Sequence, residues 1–207
     1  MLAYQAIGIN TKDKILSDAK VRQALCYLTN VDQIIEKVLY GKGTRTVGSI
    51  LPMKKDAYNT DIKPYAYDVE KAKALLAEAG WADTDGDGLL DKVIDGKKTK
   101  FEISYSYNSG NPLRETVGLL IQNSYKQAGI KVEVKALDWA LYLDELKKHN
   151  CQLFYQGWVK QPNPDDEKQI FHTSSANGGS NYMSFGNAQT DALIEQIRTE
   201  LDETKRN

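Results

Sequence analysis

The chain has 207 residues, 41% of them hydrophobic, which is enough for one sizeable core within the size range of a single domain. Lys plus Arg number 27 against 28 Asp plus Glu, with no long run of one sign, so no phosphate-binding surface is expected and nucleic acid is excluded as a partner. No apolar run approaches the ~18 residues needed to cross a bilayer, and residues 1–10 lack the basic start and apolar core of an export signal.

Residues 3–10 half-alternate and read as a strand. Asp18 then caps a helix in which Val21, Ala24, Leu25 and Leu28 repeat at helical spacing, and Asp32 starts a further helical run that ends at Gly41. Residues 41–67 are irregular, a length at which a loop usually has a docking or functional reason to exist. Asp68 caps the next helix, with Ala72, Leu75, Leu76 and Ala79 on one face and Gly80 as its stop. The acidic stretch Asp83-Thr-Asp-Gly-Asp-Gly-Leu-Leu-Asp91 follows. Residues 89–94 and 99–107 flank Asp95-Gly96, the signature of a tight hairpin turn.

From here the pattern is regular: a strand over 100–107, a helix over 111–128 with Leu113, Val117, Leu120, Ile121 and Tyr125 inward, and a strand over 130–137. Asp138 caps a helix whose Trp139, Tyr142, Leu143 and Leu146 share a face, and residues 151–158 form a strand again. Two strand–helix crossovers in tandem predict an α/β fold, a mostly parallel sheet with packed helices. Trp81 and Trp139 sit at core spacing and are expected to be packed inside. Beyond Trp158 the text is polar up to Tyr182, and a last helix spans 187–206; its charged end, without a Gly or Pro stop, reads as a cut from something longer. Cys26 and Cys151, far apart and in apolar surroundings, read as buried thiols, with a single disulfide as the alternative.

Chemistry is sparse. His149 and His172 have no partner at metal spacing, and the nucleophile elbow, the phosphate-cradling loop and the zinc-protease motif are all missing, so no enzyme is expected. The acidic stretch matches a calcium loop of the EF-hand type at Asp83, Asp85, Asp87, Gly88 and Asp91, but Ile94 stands where a bidentate Glu is needed and a strand follows in place of a second helix. Two readings stand side by side. One is a non-EF-hand calcium site made by Asp83, Asp85, Asp87 and Asp91, which would make the chain a calcium-stabilised structural or adhesive domain. The favoured one is a tight Asp/Gly turn held by side-chain-to-backbone hydrogen bonds, with no cofactor.

Three stretches carry a resemblance. Residues 18–25, DAKVRQAL, residues 67–81, YDVEKAKALLAEAGW, and residues 129–158, from GIKVEV through Asp138-Trp139 to Gly157-Trp158, occur in this order in the solute-binding proteins of bacterial peptide and nickel ABC importers (family 5, oligopeptide-binding type). The chain resembles one lobe of such a protein over nearly its whole length. Family members have two lobes of the type II periplasmic-binding kind closing on a ligand, so the resemblance implies that the other lobe and the export signal are missing here. It also implies a peptide or small-solute ligand, an ABC permease as partner, and a parent that is periplasmic or a cell-surface lipoprotein.

The resemblance further implies a site. In peptide-binding relatives the strand ending in Gly-Trp is followed by an Asp that pairs with the ligand's amino terminus; here Gly157 and Trp158 match and the Asp position falls on Gln161, which has no charge to offer an ammonium. This departure leaves room for a blocked peptide, a sugar or another neutral solute. The Arg that holds a ligand carboxylate in some relatives falls near Asn108, while Arg114 lies further on and reads as a solvated helix residue. Trp158 ends a strand, where open α/β sheets bind ligands. Asn181 and Tyr182, in a glycine-flanked polar loop, can donate to a ligand, and Lys160 reads as a solvated lysine.

Overall fold

The structure, a computed structural model, describes residues 3–160 and 166–206. In chain order its elements are β1 (Ala3–Ile9), α1 (Ala19–Leu28), α2 (Val31–Lys37), α3 (Val69–Glu78), β2 (Asp91–Ile94), β3 (Lys97–Lys100), β4 (Glu102–Asn108), α4 (Pro112–Lys126), β5 (Lys131–Leu137), α5 (Trp139–Lys147), β6 (Leu153–Val159), α6 (Lys168–Phe171), a 3₁₀ turn (Thr173–Ala176), α7 (Ala188–Thr199) and α8 (Glu203–Arg206).

The helices begin where short polar side chains can satisfy their free N–H groups. Asp18 accepts from the Lys20 amide at the start of α1 and Asp68 from the Lys71 amide at the start of α3. Asn111 accepts from the Arg114 amide, and Pro112 occupies the first turn of α4, where a missing N–H costs nothing. The run predicted to start at Asp32 begins one residue earlier, because Asn30 is the residue that accepts from Gln33. The terminal helix predicted over 187–206 is two pieces: Glu200 takes extended angles (φ −74, ψ 120) and breaks α7 from α8.

The main sheet has the order β1-β6-β4-β5. β4 pairs in parallel with β5 (Glu102 opposite Lys131, Asn108 opposite Leu137) and with β6 (Tyr105 opposite Leu153), while β1 runs antiparallel to β6 (Ala3 opposite Val159). The α4 crossover joins neighbours, and the α5 crossover carries the chain past β4 to its other side. The mostly parallel α/β architecture expected from the sequence is therefore present, with one antiparallel edge strand.

Alternation along the strands sends side chains to two faces. Ile103, Tyr105 and Tyr107 of β4 and Leu153 and Tyr155 of β6 pack with α1, α3 and α4 in the larger core. Phe154 points the other way and packs with Tyr142 and Leu146 of α5 and with Cys151. Gly118 lets α4 approach β4 closely, since a Cβ there would lie 2.6 Å from Tyr105 Cε1. Cys26 is half-buried and Cys151 buried; both are free thiols, and burial pushes each above its ordinary value.

The predicted strand over 99–107 is divided between two sheets. The Asp95-Gly96 turn, with both residues at positive φ (51 and 76), closes the β2–β3 hairpin as expected. The hairpin stops at Lys100 and β4 starts at Glu102. Phe101 between them is fully buried: its amide donates to Leu90 O (2.7 Å), its carbonyl accepts from the Lys131 amide (3.0 Å), and its ring meets Trp81 at 4.4 Å. Phe101 is the joint at which the chain passes from the hairpin to the main sheet, its amide bonded on the hairpin side and its carbonyl to β5. Trp81 is inside, but Trp139 is not: it is 57% exposed at the first position of α5, where Tyr142 and Leu146 take the core face. Among the described residues no helix is long and apolar enough to cross a membrane.

Candidate functional site

The carboxyl ends of β4 and β6 and the amino end of antiparallel β1 lie at one end of the sheet, where Asn108 and Trp158 sit, while the loop carrying Tyr182 is bonded to His149 and Thr11 at the other end. Trp158 is half-buried and sits directly across from Tyr4 in the β1–β6 register. Its indole Nε1 donates to Gln156 Oε1 (3.2 Å), and Gln156 Nε2 donates to Met183 Sδ (3.6 Å). Tyr182, next in the chain, packs edge-on against Phe154 with centroids 6.4 Å apart. Phe154, Gln156 and Trp158 thus share one face of β6, and the 182–183 loop packs on that face at Phe154 and Gln156.

Asn108, at the end of β4, accepts from Arg114 Nη1 through its side-chain oxygen. The Arg114 guanidinium stacks 4.8 Å from the Tyr155 ring centroid, and Tyr105 Oη donates to the Arg114 carbonyl (2.9 Å). Burial pushes the Tyr155 phenol up to about 12, with the Arg114 charge pulling the other way. Arg114 is therefore not the solvated helix residue expected from sequence. It is folded back over an aromatic ring at the strand ends, a fixed positive charge on a partly buried surface. The helix start at Asn111, which sets Arg114 one turn into α4, was the available signal.

Asn181 is a correction. It is fully buried, and its side chain is committed inside the chain: Nδ2 donates to Phe185 O (2.8 Å) and His172 O (3.1 Å), and Oδ1 accepts from the Phe185 amide (3.0 Å). A buried amide that ties three backbone groups together holds a loop and has no donor left for a ligand. His149 pins the same loop: at positive φ, it sets Nδ1 3.1 Å from Tyr182 O and Nε2 3.0 Å from Ala176 O. Lys160 is also a correction, being 8% exposed and ion-paired with Glu167. Gln161 lies outside the described residues.

The acidic stretch is a turn with a full set of internal bonds. Asp83 accepts from the Gly86 and Gly88 amides (2.8 and 2.9 Å), Asp87 from Leu89 (2.9 Å), and Asp91 from the Thr84 hydroxyl and amide (2.7 and 3.1 Å). Gly86 and Gly88 take φ of +75 and +86, which only glycine adopts freely. One oxygen each from Asp83, Asp85 and Asp91 lies within 4.8 Å of the others, while Asp87 is not part of this group. Lys98 reaches Asp85 (2.9 Å) and Asp91 (3.3 Å), and Lys100 reaches Asp85 (3.5 Å) and Asp87. The Lys98 hydrogen bond holds Asp85 below the usual carboxylate range. Burial pulls Asp91 upward, but the Thr84 bonds and Lys98 outweigh it and leave it lowered.

The fold agrees with what comparison finds. Residues 2–181 match the model of the bacterial extracellular solute-binding proteins, family 5, in its middle region, and the chain belongs to that family. It is 35% identical over 207 residues to the oligopeptide-binding protein AppA of Bacillus subtilis (strain 168), covering 97% of this chain and 37% of the relative. It is 31% identical over 202 residues to the dipeptide-binding protein of Escherichia coli (strain K12), covering 97% of this chain and 35% of that protein. The solved structure of the Bacillus subtilis protein in complex with a nonapeptide superposes with a TM-score of 0.89 at 34% identity, over 99% of this chain and 40% of that one. The chain thus spans little more than a third of the length of the curated relatives it matches.

Proposed function

We propose that the chain is part of the substrate-binding component of an ABC importer, which captures an oligopeptide or related small solute between two lobes and delivers it to a membrane permease. Family membership over residues 2–181 carries this reading. The strand ends are consistent with it: Trp158 and Gln156 present an aromatic and amide surface on one face of β6 and Arg114 a fixed positive charge over Tyr155 on the other, groups suited to holding a polar chain rather than to bond-breaking. Lobe closure would bury the ligand and supply main-chain hydrogen bonds, so affinity comes from the backbone of the peptide while loose pockets tolerate its side chains. No catalysis and no cofactor are required. The acidic turn is read as structural, since Lys98 and Lys100 already neutralise it. The full-length protein is read as periplasmic or anchored to the cell surface by lipid, with the second lobe supplied by the rest of the longer chain.

The test is a thermal-shift screen of the full-length protein against free peptides, amino-blocked peptides, oligosaccharides and nickel chelates. A ligand at a hundred times its dissociation constant adds about 2.7 kcal/mol to stability. Stabilisation by peptides is expected; a response to none of the four classes would overturn the reading.

A further inference from the structure

Among the described residues two buried polar atoms have no hydrogen-bond partner: Tyr4 Oη, on the residue opposite Trp158 in the β1–β6 register, and Glu167 Oε2. Tyr4 is 7% exposed, and burial, with the Glu167 charge second, drives its phenol well above the ordinary range. Glu167 is held from its other oxygen, where Oε1 accepts from Lys160 Nζ and from Ser49 Oγ (3.1 Å). The Lys160 ammonium also lies 5.8 Å from the Tyr4 ring centroid. Three distant parts of the chain meet here: the start of β1, the irregular 41–67 segment through Ser49, and the residues beyond β6. Leaving a buried donor or acceptor unpaired costs free energy, and native proteins rarely do it without a functional reason or a bound group.

The charges decide what that group is. Lys160 already supplies the counter-charge to Glu167, so a second cation entering beside it meets an ammonium as well as a carboxylate. An uncharged donor faces no such repulsion. It gives its hydrogen to Glu167 Oε2 and shares the Tyr4 hydroxyl as donor or acceptor. We propose that Tyr4 and Glu167 form a ligand subsite for an uncharged hydrogen-bond donor, such as a peptide N–H or a hydroxyl, entered alongside the Trp158 indole. This rests on the solute-receptor reading and specifies its cargo: a free amino terminus is not what this corner recognises.

The experiment is calorimetric titration of the full-length protein with trialanine and with N-acetyl-trialanine, which differ only at the amino terminus. Glu167→Gln leaves Lys160 buried against a neutral partner and endangers the fold, so Tyr4→Phe, which removes one oxygen and keeps the ring, is the deciding variant. The blocked peptide is expected to bind the wild type within about threefold of the free one. Tyr4→Phe is expected to weaken both by about tenfold while leaving the melting temperature of the unliganded protein unchanged or higher. Binding that ignores Tyr4→Phe would overturn the inference alone and assign the two atoms to water. A loss confined to the free peptide, with acetylation itself costing tenfold or more, would overturn it in favour of an ammonium. If neither peptide binds the wild type, the peptide-receptor reading falls, and the inference with it.

Discussion

Asn181 and Trp139 show how far the identity of a residue is from its role. Both are residue types that ligand sites use, and each took the opposite part from the one its sequence neighbourhood suggested. Asn181 sits among glycines and serines in a polar loop, yet it is fully buried and bonded to backbone groups of His172 and Phe185. Asn181→Ala is expected to strand those groups and cost about 2–3 kcal/mol in urea unfolding. A cost below about 0.5 kcal/mol would show that the loop does not depend on it. Trp139 repeats with Tyr142 and Leu146 at helical spacing, but it stands at the first turn of α5, beyond the rim of the core it was assigned to.

At the scale of elements, what was legible in the sequence was local. Caps at Asp18, Asp68 and Asn111 set three helices, and the strand–helix–strand rhythm from β4 to β6 gave the parallel sheet, because each depends on neighbours within a few residues. What was not legible depends on contacts between distant segments. The break at Phe101 is made by Leu90 and Lys131, the burial of Lys160 by Glu167 and Tyr4, and the fold-back of Arg114 by Asn108 and Tyr155. For the same reason Trp158 was correctly placed at a strand end while its partners Gln156 and Tyr4 went unread. Gly118 is a further case. In a helix interior Ala is favoured over Gly by roughly 1 kcal/mol, yet a Cβ at 118 would fall 2.6 Å from the Tyr105 ring and 3.0 Å from Val134. Gly118→Ala is therefore expected to destabilise by about 1–3 kcal/mol through overpacking, read as a lower denaturant midpoint at unchanged slope. A stabilised variant would mean that α4 does not lie as close to the sheet as described.

At the scale of the molecule, the acidic turn and the β2–β3 hairpin behave as one charge-balanced unit in a chain of net charge −1. Asp85 and Asp91 have folded values below their ordinary 3.8. Their contribution to stability is therefore present above about pH 4, and it is lost as pH falls through the lowered folded values. Lys98→Gln removes the main cause of the Asp85 shift, so the acid limb of the stability–pH curve is expected to flatten; an unchanged limb would show that other carboxylates dominate it. Because the lysines already hold the carboxylates, adding EDTA at neutral pH is expected to leave the melting temperature where it was. A fall of several degrees would restore calcium to the account.

The pairing of β1 with β6 sets the order in which the molecule can assemble. Ala3 meets Val159 and Ile9 meets Leu153, so this edge joins residues from opposite ends of the described sheet, whereas β4 and β5 are separated by one helix. Closing a loop about five times longer costs roughly 1.4 kcal/mol more in chain entropy, and contacts of such long range come late in folding. The β4–α4–β5 unit is thus the natural nucleus, and pulse-labelled amide exchange should protect β4 and β5 before β1. Until β1 arrives, β6 presents an open row of backbone donors and acceptors to any extended strand nearby, which makes the last step of folding the one most exposed to strand exchange with another copy.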